Sequence, residues 1–294
     1  MSDGSTIWQA MILLGAGSPM PFAEFMEQGA LGVSIFETPD GGWSVAALHR
    51  TRPDAGALGA GLALVAASEG VDEPALQVAP VPAADWLAVA YAGFPSRRIG
   101  RFHIYGSHIA DRPPAGAIPL KIDAATAFGS GEHATTEGCL AALGLIRRRR
   151  TGIRRALDMG TGSGILAIAI AKSWKMAEVA AIDIDPESAR VAGANARLNG
   201  VADRVRARQG DGYRAPLART GPPFDLIVAN ILARPLIRMA PRLKDRLAPG
   251  GVAVLSGLLR RQENAVLAAH RAAGLRFVGR RPVGEWRSLI LRRP

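Results

Sequence analysis

A glycine-rich turn that begins with an acid is the clearest chemical signal in this chain of 294 residues. Asp158, Gly160, Gly162 and Gly164 stand between an apolar run typical of a strand and an apolar run typical of a helix. Glycines at such a turn let the backbone approach a ligand closely and leave the helix N-terminus open to a polar group. The pattern therefore predicts a nucleotide-type binding site, with Gly162 among its contacts.

The spacing of these glycines does not match the dinucleotide-binding fingerprint. That fingerprint, G-x-G-x-x-G, requires a third glycine where this chain has Ile165. The carboxylate of Asp158 would also repel a pyrophosphate, whereas it suits a ligand that carries an ammonium group or hydroxyl groups. S-adenosylmethionine meets this description.

A second acid, Asp183, ends the next predicted strand. A carboxylate at this position, beside the switch point of a doubly wound sheet, can accept two hydrogen bonds from ribose hydroxyls. Asp185 has a different explanation, because Pro186 and Glu187 after it make it a good helix N-cap. We therefore predict that Asp183 binds the cofactor and that Asp185 caps the helix.

Asn230 directly follows a third strand-like run. Its carboxamide oxygen can accept a hydrogen bond from an amine and so turn the amine lone pair toward an electrophilic methyl group. The alternative is that Asn230 only begins a turn. Its place at a strand end favours the first interpretation and makes Asn230 the predicted catalytic residue.

An earlier segment, residues 127–136, contains two glycines together with Phe128, His133, Thr135 and Thr136. It is interpreted as a flexible loop that closes over a bound ligand. A capped helix start, with Thr135 or Thr136 as the N-cap, also explains it, and both interpretations can hold at once. His133 is a candidate proton acceptor, but a structural histidine is as common in such a loop, so we assign it no catalytic role.

Strand and helix patterns alternate from residue 156 onward, which predicts a parallel sheet with helices on both faces. Strands are predicted at 156–159, 179–182, 205–208, 225–229 and 252–256, and helices at 164–173, 186–199, 235–247 and 261–273. A closing hairpin of Arg276–Arg281 and Ser288–Leu291 fits the edge of such a sheet.

The first 82 residues follow a different order: strand, helix, strand, strand, helix, strand. This order is typical of the split βαβ, ferredoxin-like fold. The strands are predicted at 7–14, 33–37, 43–48 and 75–78, and the helices at 21–28 and 55–68. Residues 83–120 are less regular and are interpreted as a linker region, with a helix at 85–92 and a strand at 101–105.

The net charge of +11 is divided unevenly along the chain. Residues 1–82 contain two bases and nine acids, so they carry −7 and the rest of the chain carries +18. The acidic part is interpreted either as a docking face for a basic protein partner or as a solvated surface. The densest basic cluster, Arg147–Arg150 with Arg154 and Arg155, is interpreted as a solvated helix end, with contact to RNA phosphates as the alternative.

Cysteine content and hydropathy narrow the class of protein further. Cys139 is the only cysteine, which excludes an internal disulfide framework and a cysteine-built metal site. The N-terminus lacks the basic and apolar regions of a signal peptide, and no apolar stretch reaches the ~18 residues of a membrane span. We expect a cytoplasmic protein that does not enter a membrane and needs no metal.

Four of these segments together resemble the ribosomal protein L11 methyltransferase family (PrmA type). They are Phe128–Thr136, Asp158–Gly164, Asp183–Pro186 and Asn230–Leu232, and the resemblance spans residues 85–294. It implies an α/β fold: a doubly wound, mostly parallel, seven-stranded class I methyltransferase sheet with a small N-terminal α+β domain of the ferredoxin-like type. The expected domains are substrate recognition in 1–82, a linker region in 83–120, and S-adenosylmethionine binding and catalysis in 121–294.

The resemblance also implies a reaction, methyl transfer from S-adenosylmethionine to lysine side chains and the N-terminal amine of ribosomal protein L11, free or on the large ribosomal subunit. Contact of the basic cluster with ribosomal RNA would be incidental. The family's cofactor-contacting positions fall on Thr136, Gly160, Asp183 and Asn230. Two departures from the family pattern, Ala134 in place of proline and Ser130 in place of threonine, remove none of these contacts.

Two other functions are open at this point. A class I methyltransferase that acts on RNA or on a small-molecule amine would use the same glycine turn and Asp183, but it would gain nothing from an acidic N-terminal domain. A non-catalytic binding module could retain the same fold.

Overall fold

The computed structural model describes residues 7–15, 17–30, 32–38, 40–81, 96–107, 109, 113–123 and 134–294. The helix expected at 85–92 and most of the loop expected at 127–136 lie outside these residues. The chain divides into two compact units, residues 1–93 and residues 94–294. None of the helices in the described part of the chain is long and apolar enough to cross a membrane.

In its described residues, the N-terminal unit has a four-stranded antiparallel sheet and two helices. Its strands are β1 (Ile7–Leu14), β2 (Gly32–Glu37), β3 (Trp43–His49) and β4 (Leu76–Val81), and its helices are α1 (Met20–Met26) and α2 (Ala55–Glu69). The strand order is β2-β3-β1-β4, and each neighbouring pair is antiparallel. This is the ferredoxin-like arrangement that the order of the elements predicts.

The two helices of this unit pack closely because Gly61 has no side chain. A Cβ atom at Gly61 would lie 1.9 Å from Cζ of Phe25, so the aromatic ring occupies that space. α2 begins after the N-cap Asp54, whose Oδ1 accepts hydrogen bonds from the backbone N–H groups of Gly56 and Ala57. The cap sets the start of a helix that is otherwise mostly alanine, glycine and leucine.

A three-stranded sheet opens the second unit. Its strands are β5 (Arg97–Ile99), β6 (Phe102–Tyr105) and β7 (Ile118–Lys121). They lie in or at the end of residues 83–120, the segment expected to be a linker region, and β6 coincides with the strand expected there. Phe102, Ile104 and Leu120 are buried in one hydrophobic cluster with the main sheet. This part of the segment therefore has a folded structure, because its apolar side chains have a core to join.

The main sheet of the second unit has seven strands. They are β8 (Arg155–Met159), β9 (Glu178–Asp183), β10 (Val205–Gln209), β11 (Phe224–Asn230), β12 (Leu247–Leu259), β13 (Arg276–Val283) and β14 (Trp286–Arg292). Their order is β10-β9-β8-β11-β12-β14-β13. β8 to β12 are parallel, and β14 pairs antiparallel with both β12 and β13. The predicted parallel sheet with a closing hairpin is confirmed.

Helices cover both faces of this sheet. The described ones are α3 (Ala134–Arg149), α4 (Ile165–Ser173), α5 (Pro186–Leu198), α6 (Pro216–Arg219), α7 (Ala233–Arg246) and α8 (Glu263–Ala272). One hydrophobic cluster joins α3, α4 and α5 to one face, and a second joins α6, α7 and α8 to the other. The central strands are almost continuously apolar because both of their faces are buried.

Half of the arginine cluster contributes to this packing. The side chains of Arg147 and Arg150 donate hydrogen bonds to backbone carbonyls of other elements, at 2.8 and 2.7 Å. The guanidinium of Arg155 lies over the ring of Phe224. The exposed members of the cluster are Arg148, Arg149 and Arg154. Three of the six arginines therefore have a structural explanation.

Candidate active site

Polar residues from three strand ends meet at the carboxyl edge of the main sheet. β8 lies between β9 and β11, with Met159 opposite both Ile182 and Ala229. Asp183 and Asn230 each come one residue later, so they flank the start of the glycine turn. Because the strand order reverses between β8 and β11, this edge is the topological switch point, where doubly wound sheets bind ligands.

The glycine turn adopts a backbone conformation that other residues disfavour. Gly160, Gly162 and Gly164 have φ values of 72°, 52° and 82°, all in the left-handed region. A Cβ atom at Gly160 would lie 2.3 Å from Cγ2 of Ile231, and one at Gly164 would lie 3.0 Å from Ala192. Close packing around the turn therefore requires glycine at both positions.

Asp183 is held against the turn by two backbone amides. Its Oδ2 accepts a hydrogen bond from the N–H of Gly162 at 2.8 Å, and its Oδ1 accepts one from the N–H of Asp185 at 3.1 Å. Each carboxylate oxygen can accept a further bond, and the residue is only partly buried. Asp183 can thus bind two neighbouring ligand hydroxyls. Asp185 accepts from the N–H groups of Glu187 and Ser188, which confirms that it caps α5.

Asp158 lies at the start of the turn and is fully buried. Its Oδ2 accepts hydrogen bonds from Oγ1 of Thr161 at 2.7 Å and from the N–H of Ala167 at 3.0 Å. Its Oδ1 has no partner among the described residues. Burial raises the pKa of this carboxyl group to about 7, although its two hydrogen bonds act to lower it. The bonds of Asp158 to Thr161 and Ala167 therefore join the end of β8 to the glycine turn and to the start of α4.

Asn230 is oriented by two threonines in the first turn of α3. Its Nδ2 donates hydrogen bonds to Oγ1 of Thr135 at 3.3 Å and to Oγ1 of Thr136 at 3.5 Å. Both threonines are buried, and Thr136 is completely so. Because the amide nitrogen is engaged in this way, the carboxamide oxygen is the atom that can accept a hydrogen bond from a substrate.

A further set of hydrogen bonds holds Thr135 in place. Oγ of Ser256 donates to the backbone carbonyl of Thr135 at 3.1 Å and lies 2.7 Å from Oγ of Ser288. Gly138 leaves room for this contact, because a Cβ atom there would lie 2.2 Å from Oγ of Ser288. These contacts fasten α3 to β12 and β14. No sequence pattern indicates Ser256 or Ser288, because an isolated serine in an apolar strand belongs to no motif.

The other residues singled out in the sequence take different places. Thr135 and Thr136 lie inside α3, which begins at Ala134, so neither is its N-cap. Cys139 is buried, and burial raises the pKa of its thiol to about 12, so the thiol stays protonated. His133 lies outside the described residues.

Within the described ranges, no group of three or more histidine, cysteine, aspartate or glutamate side chains could hold a metal ion.

The fold and the site together define a class I methyltransferase. The sheet has the doubly wound order with an antiparallel strand inserted before its last one, and the glycine turn, the strand-end acid and the strand-end asparagine share one edge. The model of the ribosomal protein L11 methyltransferase (PrmA) family matches residues 31–294. The chain belongs to this family.

Individual relatives are similar to long stretches of this chain. A ribosomal protein L11 methyltransferase from Rhodopseudomonas palustris is 41% identical over 269 residues, which are 91% of this chain and 90% of that protein. One from Rhizobium leguminosarum bv. trifolii is 49% identical over 198 residues, which are 67% of each chain. The crystal structure of a ribosomal protein L11 methylase from Lactobacillus delbrueckii subsp. bulgaricus is 32% identical, covers 68% of this chain and 99% of its own, and has a TM-score of 0.58.

Proposed function

We propose that this protein transfers methyl groups from S-adenosylmethionine to ribosomal protein L11, at lysine side chains and at the N-terminal amine. The family and the relatives named for this substrate support the proposal. The observation that carries it is the amide of Asn230, held by Thr135 and Thr136 beside the glycine turn and Asp183. Such a site can orient an amine toward a nucleotide-type methyl donor.

The residues at this edge fit S-adenosylmethionine. Asp183 would accept hydrogen bonds from its ribose hydroxyls. Gly160 and Gly162 would let the backbone approach the cofactor closely, and the hydroxyl of Thr136 would add a further contact. When bound, this cofactor supplies a methyl group activated by a sulfonium centre.

The amine must be neutral to react, because an ammonium group has no lone pair. A lysine side chain has an ordinary pKa of ~10.4, and its removal from water in a closed site lowers that pKa. Oδ1 of Asn230 would accept one N–H of the amine and so orient its lone pair. The amine nitrogen would take the methyl group and lose a proton to solvent. Proximity and alignment provide most of the acceleration, so no protein base is required.

Three parts of the chain would have different roles. Residues 1–82 would recognise the substrate protein, residues 83–120 would form a linker region, and residues 121–294 would bind the cofactor and catalyse transfer. The charge of −7 on the first of these parts favours a basic partner. That partner would be met in the cytoplasm, free or on the large ribosomal subunit, and contact of the exposed arginines with ribosomal RNA would be incidental.

Incubation of the protein with labelled S-adenosylmethionine and ribosomal subunits tests the proposal directly. We expect label in ribosomal protein L11, and mass spectrometry of the product then separates lysine side chains from the N-terminal amine. Label in RNA would identify a different class I methyltransferase. The absence of label from every acceptor would identify a binding module without catalysis.

Substitution of Asn230 tests the orienting group within the same assay. We expect Asn230→Ala to reduce transfer about 100-fold, because a misaligned amine rarely meets the methyl carbon. Asn264, an exposed residue of α8, provides the matched control, and Asn264→Ala should leave transfer unchanged. Equal transfer by the two variants would refute the orienting role of Asn230.

A further inference from the structure

A groove in the N-terminal unit lies between the end of α1, the end of β3 and the start of α2. It has a volume of about 320 Å³. Phe25, Met26 and Leu58 provide apolar walls, and Gln28, His49 and Asp54 provide polar groups. Apolar walls with a few polar groups are typical of ligand sites.

The imidazole of His49 is buried at this groove without a complete set of hydrogen bonds. His49 shares one face of β3 with Val45 and Ala47, which are fully buried in the core of the unit. The residue is 7% exposed, and its Nε2 has no hydrogen-bond partner in the described part of the chain. Because buried polar groups are normally hydrogen-bonded, this nitrogen marks a place where a ligand can supply the missing partner.

One carboxylate, that of Asp54, lies at the rim of the groove. Asp54 is exposed and uses only Oδ1 to cap α2, by accepting from two backbone N–H groups at 2.9 and 3.1 Å. The nearby Arg52 lies over the ring of Trp8, 5.2 Å from its centroid. No lysine or arginine of the described chain lines the groove, and Asp54 is the one carboxylate among its described lining residues.

We propose that this groove receives one lysine or arginine side chain of ribosomal protein L11, an inference that rests on the proposed function. The methylene stem would pack against Phe25, Met26 and Leu58, as the stems of long cationic side chains do on apolar surfaces. The charged head would lie near Asp54, and one of its N–H groups would donate to Nε2 of His49. An apolar side chain fits less well, because it would leave that nitrogen without a partner.

Two alanines of α2 provide a matched pair of variants. Ala57 lines the groove, whereas Ala60 is exposed on the same helix and does not. Phenylalanine adds the same volume at either position, but only Ala57→Phe fills the groove. We expect Ala57→Phe to raise the Kd for ribosomal protein L11 about tenfold and Ala60→Phe to raise it less than about twofold. Melting temperatures and cofactor affinity should be the same in both variants.

Asp54→Asn tests the charge of the rim separately. Asparagine caps a helix as well as aspartate does, so the start of α2 is kept while the charge is removed. We expect the Kd for ribosomal protein L11 to rise about threefold at low salt, and the difference from wild type to disappear at high salt, because exposed charges are screened. A variant that binds as tightly as wild type at low salt would contradict the role of Asp54.

The outcomes separate this inference from the proposed function. If the wild-type protein methylates ribosomal protein L11 while Ala57→Phe binds it as tightly as wild type, the groove inference is wrong and the proposed function stands. If the wild-type protein neither binds nor methylates it, both are wrong. Support for the groove requires two results. Ala57→Phe binds ribosomal protein L11 more weakly than wild type does, and this difference in Kd vanishes for one substrate variant in which a single lysine or arginine is replaced by methionine. That substrate variant identifies the side chain that enters the groove.

Discussion

The Nδ2 of Asn230 donates a hydrogen bond to the Oγ1 of Thr135 across 3.3 Å and joins the end of β11 to the first turn of α3. The two residues are 95 positions apart in the sequence, so no local pattern links them. With the amide nitrogen bonded to Thr135, the amide oxygen is the group left to accept a hydrogen bond from a substrate. Thr135 is thus a positioning residue for the proposed catalytic Asn230.

Replacing Thr135 by valine removes the hydrogen-bond acceptor but keeps the shape of the side chain. We expect the kcat for methylation of ribosomal protein L11 to fall about tenfold, or about 1.4 kcal/mol of activation free energy, because the amide of Asn230 then keeps only its 3.5 Å bond to Thr136 and is held less firmly. Thr135→Ser retains the hydroxyl and should restore most of the kcat, while cofactor affinity should stay close to wild type in both variants. Equal kcat values for the valine and serine variants would contradict the positioning role.

Asp183→Asn should weaken the binding of S-adenosylmethionine and of its demethylated product alike. The introduced amide nitrogen cannot accept from a ribose hydroxyl, and both molecules carry the same ribose. We expect a loss of about tenfold for each, measured by calorimetry. Asp185→Asn is the matched control, because asparagine is an equally good N-cap for α5. A similar loss in the control would indicate a general disturbance of the turn.

The buried Asp158 should make the stability of the cofactor-free protein depend on pH. Burial raises its pKa from 3.8 to about 7, so between these values the folded state holds a proton that the unfolded state has released. The free energy of unfolding therefore decreases as pH rises through this window, by at most about 1.4 kcal/mol per pH unit. Chemical unfolding of wild type and Asp158→Asn checks this. Wild type should lose stability relative to the variant as pH rises, and a constant difference would be contrary evidence.

Gly160→Ala should damage both the fold and the site. It places a side chain at a φ of 72° and against Ile231, so we expect a loss of about 2 kcal/mol in the free energy of unfolding and a marked loss of cofactor binding. Gly152 is the control, because a Cβ atom there meets nothing within 4 Å and its φ is not positive. Melting temperature and cofactor Kd are the readouts. Equal stability of the two alanine variants would show that the turn tolerates a side chain.

The central strands of the second unit were predictable to within about a residue at each end. β8, β9 and β11 end at Met159, Asp183 and Asn230. Two of these strand ends are residues of the predicted site, and the third directly precedes Gly160. Such strands are recognisable because a parallel strand buried on both faces needs an unbroken apolar run. β12 extends well beyond its predicted 252–256, because proline and glycine near its start obscure that pattern. β7 carries proline in its middle and was not predicted for the same reason.

The sequence by itself determined the order of the elements, the chemical groups at the strand ends and the separation of acidic from basic residues. Only the tertiary structure decided how those groups are oriented. The bond from Asn230 to Thr135, the support from Ser256 and Ser288, and the unpartnered nitrogen of His49 all arise where separate elements meet. Periodicity and turn preference act between neighbours in the chain, whereas a hydrogen bond between distant residues depends on how whole strands and helices pack.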